Sequence, residues 1–324
     1  MTKTTLIGNR HITAPLIRAV RAGRVASAYL IEGPAGSGKR TLAEYLTALF
    51  VCSAPTEDGP CFSCRDCENV AYGSHPDVMI LLPEKDRDHV SVETARRANE
   101  VAQTAPIHAA RRVFVIPDAA KMNAAAQNAL LKNLEEPRSS SVYILLCEEA
   151  AGVLATIRSR SVIYRTELFS EEVLTRELAA RFPAAAREDI TLAARLSGGA
   201  LGQAVTFFGD RKVSDCRKKA EEYLSLICEN ASFDRFCAVL GADTKKDFLP
   251  MFYRILLSGV RDLLLADVSS ERQFFPPDQL LSCKKSARSL MKICDRLCEL
   301  LDPAMANANV AASVFSLNAA CSEA

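Results

Sequence analysis

Residues 33–41 read GPAGSGKRT, directly after the apolar run Ala28–Glu32 (AYLIE) and directly before Leu42, Tyr45, Leu46, Leu49 and Phe50, an apolar stripe at helical spacing. A glycine loop between a buried strand and a helix is the context in which backbone N–H groups cradle phosphate. It constrains the fold strongly, because a strand feeding such a loop belongs in a parallel sheet covered by helices. A hydrolysing loop follows G-x-x-x-x-G-K-[ST]. Gly33, Gly38 and Lys39 satisfy that pattern, with Gly36 inside the loop. Lys39 is placed to reach β- and γ-phosphates. Arg40 stands where a hydroxyl would ligate Mg²⁺, and a guanidinium only donates hydrogen bonds. Thr41 comes one place late. Gly33, Gly36, Gly38, Lys39 and Thr41 form the candidate nucleotide set. A glycine turn with no phosphate role and a loop that binds ATP or ADP without hydrolysing it both stay open.

Further apolar runs alternate with helical patterns. Residues 78–82 (VMILL), 113–116 (VFVI) and 142–147 (VYILLC) read as strands, and 92–104 and 123–136 as helices, the second closed by Pro137. Ile12, Leu16, Ile17 and Val20 share one face of a helix that stops near Gly23. The pattern changes near Phe169. Ser170, Glu171 and Glu172 form a cap and an acidic first turn. Two short helices follow, broken at Gly198-Gly199, and from Lys212 onward every apolar pattern is helical. The expected organisation is an α/β domain over 1–168, a small helical domain over 169–210 and a helical bundle over 211–324.

The strand VFVI runs into Pro117-Asp118. A hydrolysing site ends this strand in adjacent acids, one for the metal and one for the attacking water. Proline fills the first place and Asp118 the second, where it also suits a turn. With both metal-handling places altered, no role for Mg²⁺ is expected.

Cys52, Cys61, Cys64 and Cys67 form C-x8-C-x2-C-x2-C. Closely spaced thiolates in a reducing compartment read as tetrahedral zinc, and four of them leave no open catalytic position. The site is expected to be structural, replacing a core in a polar segment. His75 is a competing ligand. The remaining eight of the 12 cysteines lie mostly on apolar helix faces, and Cys294 and Cys298, four apart with no second pair beside them, read as core. The start MTKTTLIGNRHI lacks a signal-peptide core, and no apolar run reaches about 18 residues, so a cytoplasmic chain without a membrane span is expected. With 40 basic and 39 acidic residues, bulk attraction to nucleic acid is not expected.

Several motifs together resemble the AAA+ clamp-loader family of bacterial DNA polymerase III. Residues 127–137, QNALLKNLEEP, match that family's helix after the acidic strand. The cysteine insert has the spacing of its zinc module, and His75-Pro76-Asp77 resembles the short motif that follows. Ser159-Arg160-Ser161 sits where the family carries Ser-Arg-Cys, and Asn307-Ala308-Asn309 resembles a motif of its last collar helix. The likeness is strong over about residues 5–205 and weak beyond 210. It implies a RecA-like sheet domain with a zinc module, a helical lid and a helical collar.

It also implies a replication function. The resemblance carries the trans arginine finger onto Arg160, which would reach ATP held by a neighbouring gamma/tau subunit. Delta and gamma/tau subunits are the implied partners. The β sliding clamp and primed-template DNA are reached through the complex. Cys147-Glu148 and Leu201-Gly202 replace the small polar and arginine sensor residues of active relatives. Together with Arg40 and Pro117, they favour a non-hydrolysing stator. The alternatives are a short gamma/tau-like ATPase, kept open by Lys39, and a stand-alone zinc-dependent DNA-binding protein, disfavoured by the balanced charge.

Overall fold

The computed structural model describes residues 6–83, 89–136, 140–209, 212–241, 244–265, 283–302 and 309–323. Pro137, Asn307 and Ala308, singled out above, lie outside these residues. The chain divides into two compact units, Met1–Phe169 with Ala200–Gly202, and Ser170–Gly199 with Gln203–Ala324.

The first unit is a five-stranded, wholly parallel sheet. Its strands are β1 (Ala28–Glu32), β2 (Val78–Ile80), β3 (Arg112–Ile116), β4 (Ser141–Cys147) and β5 (Val162–Arg165), ordered β2-β3-β4-β1-β5. α1 (Arg10–Arg21) precedes the first strand. Parallel strands need crossovers, and helices supply them: α2 (Lys39–Val51), α3 (Arg65–Ala71), α4 (Val92–Ala102), α5 (Ala124–Glu135) and the single turn α6 (Ala155–Arg158).

Side chains alternate across the strands and feed two cores. Leu30, Phe114, Ile116, Tyr143 and Leu145 pack with Ala95, Ala98, Ala126 and Leu130 of α4 and α5. Tyr29, Ile31, Val113, Val115, Ile144 and Leu146 pack with Ile12 and Leu16 of α1 and with Leu42, Leu46 and Phe50 of α2. A sheet buried on both faces explains why β1, β3 and β4 read as continuous apolar runs.

Two expectations differ here. The run 78–82 stays in the strand only to Ile80, although the Leu81 N–H still reaches Val115 O at 2.8 Å. Helix 92–104 stops at Ala102, because Gln103 and Thr104 close it with tighter i→i−3 bonds to Glu100 O and Val101 O ahead of Pro106. β5 has no counterpart among the expected strands. It is an edge strand, and Val162 and Ile163 are exposed.

The second unit is helical: α7 (Glu171–Arg181), α8 (Arg187–Leu196), α9 (Leu201–Thr206), α10 (Lys212–Glu229), α11 (Phe233–Val239), α12 (Leu249–Leu265), α13 (Ala287–Leu301) and α14 (Val310–Glu323). α9 opens with residues that pack in the first unit. Ser170 caps α7 by accepting the Val173 N–H. The stripe Val213, Cys216, Ala220, Tyr223, Leu224 and Ile227 is buried as the spacing requires. Tyr223 donates to Asn318 Oδ1 at 2.7 Å, tying α10 to α14 inside the core. Cys298 is a correction: it is exposed, not core, and Cys294 is half-buried. Both sit on the flank of α13, whose buried face is Leu290, Ile293, Leu297 and Leu300.

Candidate functional site

The sheet order puts β1 between β4 and β5, while the chain leaves β1 for β2 at the far edge. The carboxyl ends of β1, β3 and β4 therefore meet where the winding reverses, the place where α/β sheets bind ligands. Gly33 follows β1, Pro117-Asp118 follow β3, and Cys147 ends β4 with Glu148 directly after it.

The glycines are there for backbone reasons. Gly36 and Gly38 sit at φ 74° and 88°, a region costly for residues with a Cβ. Gly33 is packed so closely that a Cβ would lie 1.9 Å from Thr166 Oγ1. Thr166, just after β5, also hydrogen-bonds Ser37 Oγ at 2.8 Å. It therefore buttresses the loop from the sheet side, a role that no sequence motif marked. Gly202 donates its N–H to Gly36 O at 2.8 Å.

Lys39 opens α2 and turns back on the loop, donating to Gly33 O at 2.6 Å and Pro34 O at 2.9 Å. Burial lowers its pKa, partly offset by Glu148, Cys147 and Asp118. The loop thus retains a cation and a glycine cradle suited to phosphate. Arg40 is exposed. Asp118 is paired with Lys121 at 3.1 Å and makes no side-chain cap bond. Burial pushes the Cys147 thiol up to about 11. Arg40 and Cys147 offer no carboxylate to a metal ion, whereas Asp118 and Glu148, both acting on Lys39, do.

Arg160 lies in the turn after α6. Its guanidinium donates to Thr156 O at 3.0 Å and Ser159 Oγ at 3.3 Å, and pairs with Glu135 of α5 at 2.9 Å. The side chains are 36% and 48% exposed. Such an exposed pair is worth little, about 0–1 kcal/mol, so the guanidinium can exchange Glu135 for a stronger anion.

The cysteine module begins where α2 ends, with Cys52 at its C-cap. The Sγ atoms of Cys52, Cys61, Cys64 and Cys67 all lie within 4.8 Å of one another, and Cys52 and Cys61 are 3.5 Å apart. Tetrahedral zinc with ligands at roughly 2.3 Å needs sulfurs about 3.8 Å apart, so the donor set fits that ion. Backbone N–H groups also aim at the sulfurs: Cys61 to Cys52, Cys64 to Cys61, and Cys67 to Cys64, at 3.3–3.5 Å. Such donors favour thiolate. Burial works to raise the Cys61 pKa, but Ser63, the Cys64 N–H and Cys52 outweigh it and bring it to about 6. Cys64 is lowered in the same way, by Ser53 and Cys67 against burial, whereas burial raises Cys67. His75 is outside the cluster.

The intervening loop is held on α2 by Tyr45, which donates to Asp58 O at 2.9 Å and packs its ring, tilted by 55°, against Phe62 with ring centroids 6.0 Å apart. Asp77, of the His-Pro-Asp motif, is fully buried and accepts the N–H groups of Ile107, His108 and Ala109 at 2.7–3.0 Å. Arg112 pairs with it at 3.2 Å. Burial would raise its pKa, but these donors outweigh burial and hold it below the ordinary carboxylate range. Arg112 in turn donates to Val101 O and Ala105 O at the end of α4. This Asp77–Arg112 pair was invisible in the sequence, since the partners are 35 residues apart.

A five-stranded parallel sheet with a glycine loop and helix after its first strand, followed by a helical unit, has the frame of the doubly wound nucleotide-binding class of proteins. The family model described as "DNA polymerase III, delta subunit" matches residues 8–169, half of the chain. The chain belongs to that family, the delta-prime branch of the clamp-loader AAA+ proteins related to gamma/tau. DNA polymerase III subunit delta' of Pseudomonas aeruginosa is 38% identical over 175 residues, covering 54% of this chain and 53% of that protein. Subunit delta' of Escherichia coli K12 is 33% identical over 198 residues, covering 60% and 58%. Subunit gamma/tau of Mycobacterium tuberculosis H37Rv is 35% identical over 174 residues, covering 54% and 30%. The matched part thus spans little more than half of either delta' relative. No helix among the described residues is long and apolar enough to cross a membrane.

Proposed function

We propose that this chain is the stator-type subunit of a bacterial clamp loader, which holds a phosphate loop but does not turn over ATP. It supplies Arg160 in trans to ATP bound by a neighbouring gamma/tau subunit. The complex, with delta and gamma/tau as partners, loads the β sliding clamp onto primed DNA. The observation that carries this reading is a contrast within one unit. The loop keeps its cradle and Lys39, while Arg40 and Pro117 occupy the Mg²⁺-handling places and Arg160 stands half-exposed on a weak pair. An arginine so placed can stabilise charge at a neighbour's γ-phosphate, an effect of roughly 10³–10⁵ in rate.

Three further assignments belong to the same reading. Residues 169–210 act as the lid and 211–324 as the oligomerising collar. Cys52, Cys61, Cys64 and Cys67 hold one structural Zn²⁺, which would staple a segment with few apolar residues. Any ATP or ADP in the loop of Gly33, Gly36, Gly38, Lys39 and Thr41 would be held without Mg²⁺ chemistry.

Reconstituted complexes carrying Arg160→Ala test the finger role. DNA-stimulated ATPase should fall at least tenfold while the complex stays assembled on gel filtration. Unchanged ATPase in the intact mutant complex contradicts it. A second reading, a short gamma/tau-like ATPase, draws support from Lys39 and from the 35% identity to a gamma/tau subunit. Turnover by the purified chain alone separates the two.

A further inference from the structure

His75 is fully buried beside the cysteine module yet takes no part in the sulfur cluster. Its Nδ1 accepts the Asp77 N–H at 3.0 Å. A ring nitrogen that accepts cannot carry the proton of a neutral imidazole, so the hydrogen is on Nε2. Nε2 faces Asp66 Oδ1 at 3.3 Å. The neutral Nε2–H thus lies against the Asp66 carboxylate, although its alignment falls short of a formed hydrogen bond. Asp66 belongs to the first turn of α3, between Cys64 at the N-cap and Cys67. On the other side, Asp77 is fixed by three amides and Arg112. A chain of polar contacts thus runs from the helix that presents two sulfurs, through one imidazole, to the β2–β3 edge of the sheet.

We propose that His75 is a positioning residue for the four-cysteine centre, acting through Asp66 to hold α3, and with it Cys64 and Cys67, in ligating register. The loop of the module is anchored separately by Tyr45 on α2. His75 supplies the second anchor, without which Cys64 and Cys67 would drift relative to Cys52 and Cys61. The histidine of the motif is therefore retained as a strut and not as a ligand. This rests on the reading of the module as a zinc site.

The test follows zinc transfer from the full-length protein to a chromogenic chelator, with metal content measured first. His75→Asn keeps an acceptor for the Asp77 N–H and removes the contact to Asp66. It should release zinc about ten- to a hundredfold faster than the wild type, in line with the 10–100-fold loss of metal affinity typical when partners outside the ligand set are removed. Asp66→Ala should do the same, and the double variant should be no faster than either single one. His75→Gln, whose amide N–H reaches toward Asp66, should recover most of the difference. Cobalt-substituted protein should show a broadened ligand-field band in His75→Asn and a wild-type band in His75→Gln. Wild-type release rates in His75→Asn and Asp66→Ala, each carrying one zinc, overturn the proposal, as do additive effects in the double variant. Wild-type protein that holds no zinc overturns the metal reading beneath it, a distinct result.

Discussion

One helix carries a different kind of site at each end. The glycine loop leads into α2 at Lys39, and the cysteine module leaves it at Cys52. At the C-terminal end every donor for a metal is in place, and the sulfurs converge. At the N-terminal end the backbone cradle is in place, but Arg40 and Pro117 stand where a hydroxyl and a carboxylate would hold Mg²⁺. The difference separates two jobs of a metal site. Zinc at the module would be part of the fold, so its donors cannot change without unfolding the segment. Mg²⁺ at the loop would serve only catalysis, so its positions can change while the loop, Lys39 and the sheet stay intact.

The largest expected effect lies at the module. Cys61→Ser with Cys64→Ser should abolish zinc binding and open residues 52–73 to protease, since structural zinc can contribute roughly 10–16 kcal/mol of apparent binding energy. An unchanged melting temperature and an intact segment would break the contrast at this end.

Next comes the pair that ties the module's flank to the sheet. Asp77→Asn leaves Arg112 buried without its anion and should destabilise the protein by roughly 3–5 kcal/mol in urea titrations. Asp77 has a lowered pKa in the fold. Its contribution is therefore full above the unfolded carboxyl value of about 3.9 and is lost as pH falls through the folded pKa. The stability gap between wild type and Asp77→Asn should be constant above about pH 5 and shrink in stronger acid. A gap independent of pH would show that the carboxylate charge plays no part.

Much of this was legible before the structure. β1, β3 and β4 are apolar runs because both faces of the sheet are covered, and the glycines mark the tight turn between β1 and α2 by spacing alone. Three features were not legible, each for a physical reason. β5 is an edge strand with Val162 and Ile163 in solvent, so it carries no buried run. α3 buries only Cys67, and its segment reads as polar loop. Long-range pairs such as Asp77–Arg112 and Arg160–Glu135 depend on topology, which periodicity does not encode. Cys298 shows the converse error, a helical spacing that lies on the flank of the buried face.

Smaller effects sharpen the N-terminal end. Gly33→Ala drives a Cβ into Thr166 Oγ1 and should cost about 1–3 kcal/mol, with part of the loss relieved by Thr166→Ala in the double variant. Additive losses would mean that Thr166 does not buttress the loop. The smallest effect is expected from Arg40→Ser. This exposed residue should alter stability by no more than about 0.5 kcal/mol. The variant should gain no ATPase, because Pro117 still withholds a carboxylate.

Turnover of ATP by the purified wild-type chain, with Mg²⁺ and without partner subunits, tests the account most directly. Phosphate release should stay at the level of the protein-free control, unchanged by Lys39→Ala. Steady turnover that Lys39→Ala abolishes would contradict it, and would make the chain an ATPase in its own right.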